Sequence, residues 1–475
     1  MIRLRVSLPS IPSLLLLFYR DLERRGLVSL SSPPLKLHKK ENALSTIPNI
    51  LYAGFDPTAN SFHVGNLLII SNLLRASFFG CKTIALIGGA SGQIGDPSGR
   101  FTERKALSSD SVSENAKILL RQLAEISENA SQIYGQRASL TIVNNIEWYD
   151  KMSAINFLQV GRDFRVGEML RIGPIKARMA PSRGISFTEF AYPIFQAYDW
   201  YILAQKYGCF FQLGGSDQLG NFEVGQEYIL KRLNSLAYGV CLPLITDEKG
   251  QKLGKSTISS SSATLDSNEN RASIINNNDT QFTPRPEQTG VWLDDAKTSP
   301  FALYQYFRQL PDALAERLLF YYSLKPIEQL EAILAEHCAD KSKWLAQTRL
   351  SDEIVELVHG KKGLELAQRC SRILFSGKLH ELKGLDADVI LSLLGDASTF
   401  QLSRAEIRTF GDLADRTLRD TRKRGSATMR EGSFYVNGLK SRDANKHVHV
   451  DDLLICGQFT VISWGKRNHS LVRWI

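Results

Sequence analysis

Leu51-Tyr52-Ala53-Gly54-Phe55, followed by the turn Asp56-Pro57-Thr58 and then by His63-Val64-Gly65-Asn66, decides the fold. The first five residues read as a buried strand. From Asn66 to Phe79 apolar side chains recur at Leu67, Ile70, Leu74 and Phe78, the spacing of one helical face. Thr83–Ile87 reads as a second strand. Strand, crossover helix and strand make the first unit of a parallel sheet. Further strands are expected at Leu140–Val143, Phe210–Leu213 and Leu242–Ile245, with helices over 113–126 and 188–207. Residues 21–256 therefore predict a Rossmann-like, doubly wound α/β domain.

Outward from that domain the composition changes. Residues 257–290 are rich in Ser and Asn, including Ser259–Ser262 and Asn276–Asn278, and read as a disordered insertion. Ser299-Pro300 is a good N-cap and first-turn pair, and opens a helical domain over 291–395. A last domain, 396–475, is expected to begin with basic helices and to finish with strands at Ser433–Val436, Phe459–Trp464 and Ser470–Trp474. At the other end, residues 1–20 carry Arg3, Arg5 and Arg20, no acidic residue, and the apolar run Leu14–Phe18. That composition suits a mitochondrial transit peptide. A secretory signal competes with it, but the run is short and no small-residue cleavage site follows.

The 475 residues carry a net charge of +9, which favours an acidic partner, nucleic acid foremost. No apolar stretch approaches 18 residues, so no membrane-inserted helix is expected. The six cysteines form no CxxC pair, which argues against a disulfide framework or a zinc site; no metal ligands are singled out.

Four elements carry chemistry. His63-Val64-Gly65-Asn66 opens a helix after a strand, where backbone N–H groups and the helix dipole suit a nucleotide phosphate; a histidine merely bonded to backbone fits the tetrapeptide as well. Lys252-Leu253-Gly254-Lys255-Ser256 places two cations three residues apart, suited to a pyrophosphate leaving group, although alone it reads as a solvated loop. Gly88–Gly99 holds five glycines and Asp96, a carboxylate placed to meet an ammonium. Tyr192, Gln196 and Asp199 fall at i, i+4 and i+7 of one helix, either lining a pocket or facing solvent. Ser186 and Glu189 form a candidate capping box for that helix, and Pro193 lies inside it.

Together, and in this order, these motifs resemble the class I aminoacyl-tRNA synthetases, within them the tyrosyl enzymes of bacterial and mitochondrial type. Gly214-Gly215-Ser216-Asp217-Gln218-Leu219-Gly220-Asn221, Lys297-Thr298-Ser299-Pro300-Phe301, Val358-His359-Gly360 and Phe434-Tyr435-Val436-Asn437-Gly438 extend the resemblance from about 48 to 475. It implies that L-tyrosine and ATP, with Mg2+ and no tightly bound cofactor, give an adenylate whose tyrosine passes to tRNA(Tyr) in the mitochondrial matrix. A homodimer is implied. So are an anticodon-binding role for the helical domain and an S4-like RNA-binding role for the last, with Arg422, Lys423, Arg424 and Arg430 on phosphates.

The resemblance also implies residue roles. Tyr52 and Asp199 would hold the phenol hydroxyl. Asp96, Tyr192 and Gln196 would hold the ammonium. Gln218 would face the carboxylate end, and Gly215 would line the pocket. ATP would meet Asp56, His63, Gly65, Asn66, Asp217 and Ile245. Lys252, Lys255 and Ser256 would hold its outer phosphates, with Arg100 and Arg104 nearby. Asn66 departs from the family's second histidine, and Ala53 from a common cysteine. A splicing-type RNA-binding derivative, a tryptophanyl enzyme and a small adenylyltransferase share parts of this pattern. The intact polar residues, the Tyr52–Asp199 pair and the basic tail, respectively, argue against each.

Overall fold

The computed structural model describes residues 13–34, 40–98, 107–135, 138, 140–179, 184–246, 290–376, 390, 398–418, 425, 429, 432–464 and 468–475. They fall into two compact units, Met1–Leu293 with Glu316–Asp340, and Asp294–Ala315 with Lys341–Ile475. The stretch 291–395 expected as one helical domain is thus shared between the two. Most of the 257–290 insertion lies outside the described residues.

In the first unit, strands β1 (Leu30–Ser32), β2 (Ile50–Phe55), β3 (Lys82–Ile87), β4 (Leu140–Asn144), β5 (Phe211–Gly215) and β6 (Tyr238–Leu242) form one sheet in the order β1-β6-β5-β2-β3-β4. All pairs are parallel except β1 with β6. The sheet is doubly wound, with its switch point between β5 and β2, and ligands of such sheets sit beyond the carboxyl ends of the strands at that point. β6 starts four residues and ends three residues earlier than expected: Pro243, which has no N–H for the ladder, closes it. The predicted strand Leu242–Ile245 therefore becomes the chain leaving the sheet.

The helices of eight residues or more in this unit begin with α1 (Leu14–Arg24), α2 (Val64–Phe78), α3 (Ser109–Tyr134), α4 (Phe187–Tyr207) and α5 (Leu219–Leu233). α4 runs on through Pro193. Ser186 Oγ caps it by accepting the Glu189 N–H, while the Glu189 carboxylate pairs with Arg178 at 2.7 Å, both side chains buried. A charge pair at that depth is costly to break from one side. Ser186 and Glu189 thus both secure the helix start, the glutamate by tying it to the short helix Gly173–Met179.

α1 runs across the boundary expected at residue 20. Leu15, Leu16, Phe18, Tyr19 and Leu22 are buried, so the apolar run assigned to a leader is part of the core. Ser13 caps the helix, and Asn49 Oδ1 accepts the Leu15 N–H. Asp21 pairs with Arg25 at 2.7 Å. The guanidiniums of Arg25 and Arg75 then donate to the carbonyls of Phe320, Tyr321, Ser323 and Lys325, beyond and within the last turn of α6 (Asp312–Tyr322). These are the orphan acceptors that any helix end must satisfy. α7 (Ile327–Ala339) follows.

In the second unit α8 (Pro300–Arg308), capped by Ser299 as expected, packs on α9 (Leu345–Ser376), which is broken at Gly360 where φ is 69°. After it come β7 (Ser398–Leu402), α10 (Phe410–Thr417), β8 (Phe434–Val436), β9 (Leu439–Lys440), β10 (Phe459–Trp464) and β11 (Asn468–Trp474), with sheet order β7-β11-β10-β8-β9. Leu413, Phe434, Ile462 and Val472 fill its core. The opening strand β7 replaces the expected helical start. Phe400 and Leu402 turn inward while Gln401 is exposed, a two-residue alternation too short to stand out in sequence.

Replacing Phe18, fully buried and 6.1 Å from the Phe79 ring, by alanine should cost about 3–5 kcal/mol in urea denaturation. A removable leader would give no change.

Candidate active site

The sequence folds so that each parallel strand of the first unit's sheet leads, at its carboxyl end, to residues of the site, polar ones in every case but β6. β2 carries Tyr52 and runs out into Asp56. β3 leads to Gly88, Ser91 and Asp96. β4 leads to Asn145 and Trp148, β5 to Asp217 and Gln218, and β6 to Ile245. α2 starts at the same rim. His63 is its N-cap: Nδ1 accepts the N–H groups of Gly65 (3.0 Å) and Asn66 (3.3 Å), and Asn66 Oδ1 accepts the His63 N–H (3.2 Å). This reciprocal box fixes both side chains. With Nδ1 accepting, the neutral ring carries its proton on Nε2, as a donor. A Cβ on residue 65 would lie 2.9 Å from His63 Cε1, so the glycine is what lets the imidazole fold back.

One cavity of about 360 Å³ is lined by Tyr52, Asp56, His63, Gly65, Asn66, Asp96, Tyr192, Gln196, Asp199, Gly215, Asp217, Gln218 and Ile245. All the candidate residues that the structure describes are thus brought together. Lys252, Lys255 and Ser256, and likewise Arg100, Arg104, Arg422, Lys423, Arg424 and Arg430, lie outside the described residues. The stripe Tyr192, Gln196, Asp199 faces the cavity and not solvent, with Tyr192 and Asp199 buried.

Four carboxylates line the cavity, those of Asp56, Asp96, Asp199 and Asp217. Asp199 accepts from Trp148 Nε1 (2.8 Å) and Asn145 Nδ2 (3.0 Å). Burial raises its pKa to about 7, against the hydrogen bonds of Asn145, Trp148 and Tyr149, which lower it. Beside it the Tyr52 hydroxyl is buried and has no hydrogen-bond partner among the described residues. Burial, then the proximity of Cys209 and Asp199, holds that phenol well above its ordinary pKa, so it stays protonated. Asp96 accepts from the Ser98 N–H and from Gln218 Nε2, both at 2.8 Å. Asp56 accepts from Ser91 Oγ (2.7 Å) and from the Tyr192 hydroxyl (2.8 Å). A Cβ on residue 88 would fall 2.0 Å from Asp56 Oδ1, so Gly88 makes room for this carboxylate. Tyr192, expected among the ammonium ligands, is therefore engaged with a residue expected to meet ATP.

Sequence reading missed the residues that hold these groups. Asn145 is fully buried and bridges Ser91 and Asp199 through Nδ2, while its Oδ1 accepts the Ala90 N–H. Asn221 Nδ2 donates to Gln196 Oε1 (2.9 Å) and Gln218 Oε1 (3.0 Å). Gln212, on β5, also lines the cavity. Asn221 stood inside a quoted motif. Asn145 had only its place one residue beyond a strand as a signal. Chemically, the cavity offers a donor–acceptor pair at its buried end, a carboxylate midway, and a helix N-terminus at its rim.

Comparison with known proteins agrees with this arrangement. The chain is 36% identical over 434 residues to "Tyrosine--tRNA ligase, mitochondrial" of Drosophila melanogaster, covering 89% of this chain and 87% of the relative. The human protein of the same name is 33% identical over 92% of this chain and 86% of its own. Among solved structures, the C-terminally truncated mitochondrial tyrosyl-tRNA synthetase of Aspergillus nidulans superposes with a TM-score of 0.63 at 29% identity, covering 75% of this chain and 94% of that one. Residues 45–277 and 285–376 match the family described as tRNA synthetases class I (W and Y), and the chain belongs to that family.

Proposed function

We propose that the protein joins L-tyrosine to tRNA(Tyr) in two steps, activation by ATP and then transfer. The observation that carries this reading is the buried Tyr52 hydroxyl beside Asp199, a donor and an acceptor at the closed end of the cavity. That pair matches a phenol, which both gives and takes a hydrogen bond. An indole N–H only gives one, which disfavours a tryptophan substrate. A site built to bond a hydroxyl also rejects the analogue lacking it, a rule for which tyrosine-specific synthetases are the standing illustration.

With the ring there, the substrate ammonium meets Asp96 and Gln196, and its carboxylate points towards Gln218 and the start of α2. The carboxylate is ionised at neutral pH, so it attacks the α-phosphate without a general base. The P–O bond to pyrophosphate breaks as the acyl–phosphate bond forms. His63 Nε2, the Asn66 amide and the first turn of α2 stabilise charge on the nucleotide. Lys252, Lys255 and Ser256 are assigned to the β- and γ-phosphates. ATP enters as its magnesium complex, the ion held mainly by phosphates and water. In the second step a hydroxyl of the 3'-terminal adenosine attacks the acyl carbon, and AMP leaves.

The reading extends to assembly and location. Ile155, Leu158, Val166 and Phe187 are 60–73% exposed between β4 and the start of α4, an apolar surface suited to a second copy in a homodimer. The names of the relatives favour a mitochondrial location, and we assign the protein to the matrix. Because Ser13 already caps a buried helix, an import signal would have to end before it.

Tyrosine-dependent ATP–pyrophosphate exchange tests the proposal. Absence of exchange with RNA binding retained would replace it with the splicing-type reading. Asp199→Ala should lower kcat/KM for tyrosine about 10- to 100-fold, the range for a charged hydrogen bond of about 1.5–3 kcal/mol. Asp199 accepts most strongly from the phenol when ionised, and its pKa is raised to about 7. The KM for tyrosine should therefore climb as pH falls through 7, by at most tenfold per unit. Asn145→Ala, which removes a donor to the charged form, should move that inflection upwards; a downward move would contradict the assignment.

A further inference from the structure

Trp344 occupies a place in the second unit that its size does not suit. It follows the exposed turn Lys341–Lys343 and immediately precedes α9, with φ at 53°, in the left-handed region that bulky residues rarely adopt. Its carbonyl accepts the Thr348 N–H, Thr348 Oγ1 (2.8 Å) and Arg308 Nη1 (3.2 Å). The ring itself is only half-buried, unlike the fully buried Trp200 of the first unit. The Arg308 guanidinium stands 5.9 Å from its centroid. The carboxylate of the adjacent helix start, Asp312, is engaged by Gln347 Nε2 at 2.6 Å. The half-buried indole thus stands with a guanidinium beside it and with the exposed Lys341 and Lys343 just before it in the chain.

An aromatic face flanked by cations matches a single-stranded nucleic acid: the ring takes an unpaired base and the cations take phosphates. A duplex, whose bases are already stacked, offers no face for it. We propose that Trp344 stacks an unpaired base of the tRNA, with Lys341 and Lys343 on the adjoining phosphates and Arg308 holding the indole in place. The proposal rests on tRNA being the acceptor substrate.

The test separates the two claims. Pyrophosphate exchange, which needs no tRNA, should be unchanged in Trp344→Leu, Trp344→Phe and the double variant Lys341→Ala/Lys343→Ala. In tyrosylation, Trp344→Leu keeps apolar bulk but loses the π-face, and should raise the KM for tRNA tenfold or more. Trp344→Phe should stay within about threefold of the parent, since base stacking tolerates any aromatic ring. The lysine variant should flatten the slope of log KM against log salt by about 1–1.5, from about 0.7 per single-strand phosphate contact. An unchanged KM in Trp344→Leu, or equal impairment by leucine and phenylalanine, would overturn the stacking role. An unchanged salt slope would overturn the phosphate contacts. If Trp344→Leu proves unfolded by thermal melting, the phenylalanine and lysine variants still decide. Loss of exchange in the parent protein would count against the enzyme reading and leave this surface to be judged by RNA binding alone.

Discussion

Asp56, Asp96 and Asp199 line one cavity, and each carboxylate there needs donors in place of the water it gives up. Asp199, Asp56 and Asp96 are each met by two donors, drawn from α4 and from the chain beyond β3, β4 and β5. The sheet order follows from the same need. Only where β2 and β5 lie side by side, with their carboxyl ends at one edge, can residues so distant in sequence converge. Desolvation is the cost of specificity here, and the raised pKa of Asp199 records how much of it the hydrogen bonds leave uncompensated.

Asn145 connects two parts of this arrangement. One Nδ2 group reaches Ser91, which bonds Asp56, and also Asp199. The end of the cavity assigned to the phenol and the edge assigned to the nucleotide are therefore joined by three hydrogen bonds through buried side chains. Low local dielectric strengthens such a chain and makes any gap in it expensive.

Much of this was legible in the sequence. The strands at 51–55 and 83–87 and the helix from Asn66 follow from periodicity, because a buried strand and an amphipathic helix leave different spacings. The stripe Tyr192, Gln196, Asp199 was legible as a stripe but not as a pocket wall, since a solvent face has the same period. α1 was hidden for a different reason. Its apolar run reads as a leader in sequence, and its docking shows only in the partners Asn49, Asp21 and the carbonyls near Ser323. Asn145 and Asn221 carry no signal of their own, because an asparagine that orients another side chain looks like any turn asparagine.

The chain that follows the Ser/Asn-rich stretch returns to the His63 turn. Val291 O accepts the Val64 N–H, the Leu293 N–H reaches Phe62 O, and the Trp292 ring stands 6.2 Å from His63. On the near side, Thr246 O is held by Arg317. Two fixed ends bracket everything between them. For a chain closed at both ends, each doubling of length adds only about 0.6 kcal/mol of closure entropy. Dozens of polar residues can therefore be inserted between the lysine motif and Trp292 at little thermodynamic expense, provided the two anchors keep their grip on the rim of the sheet.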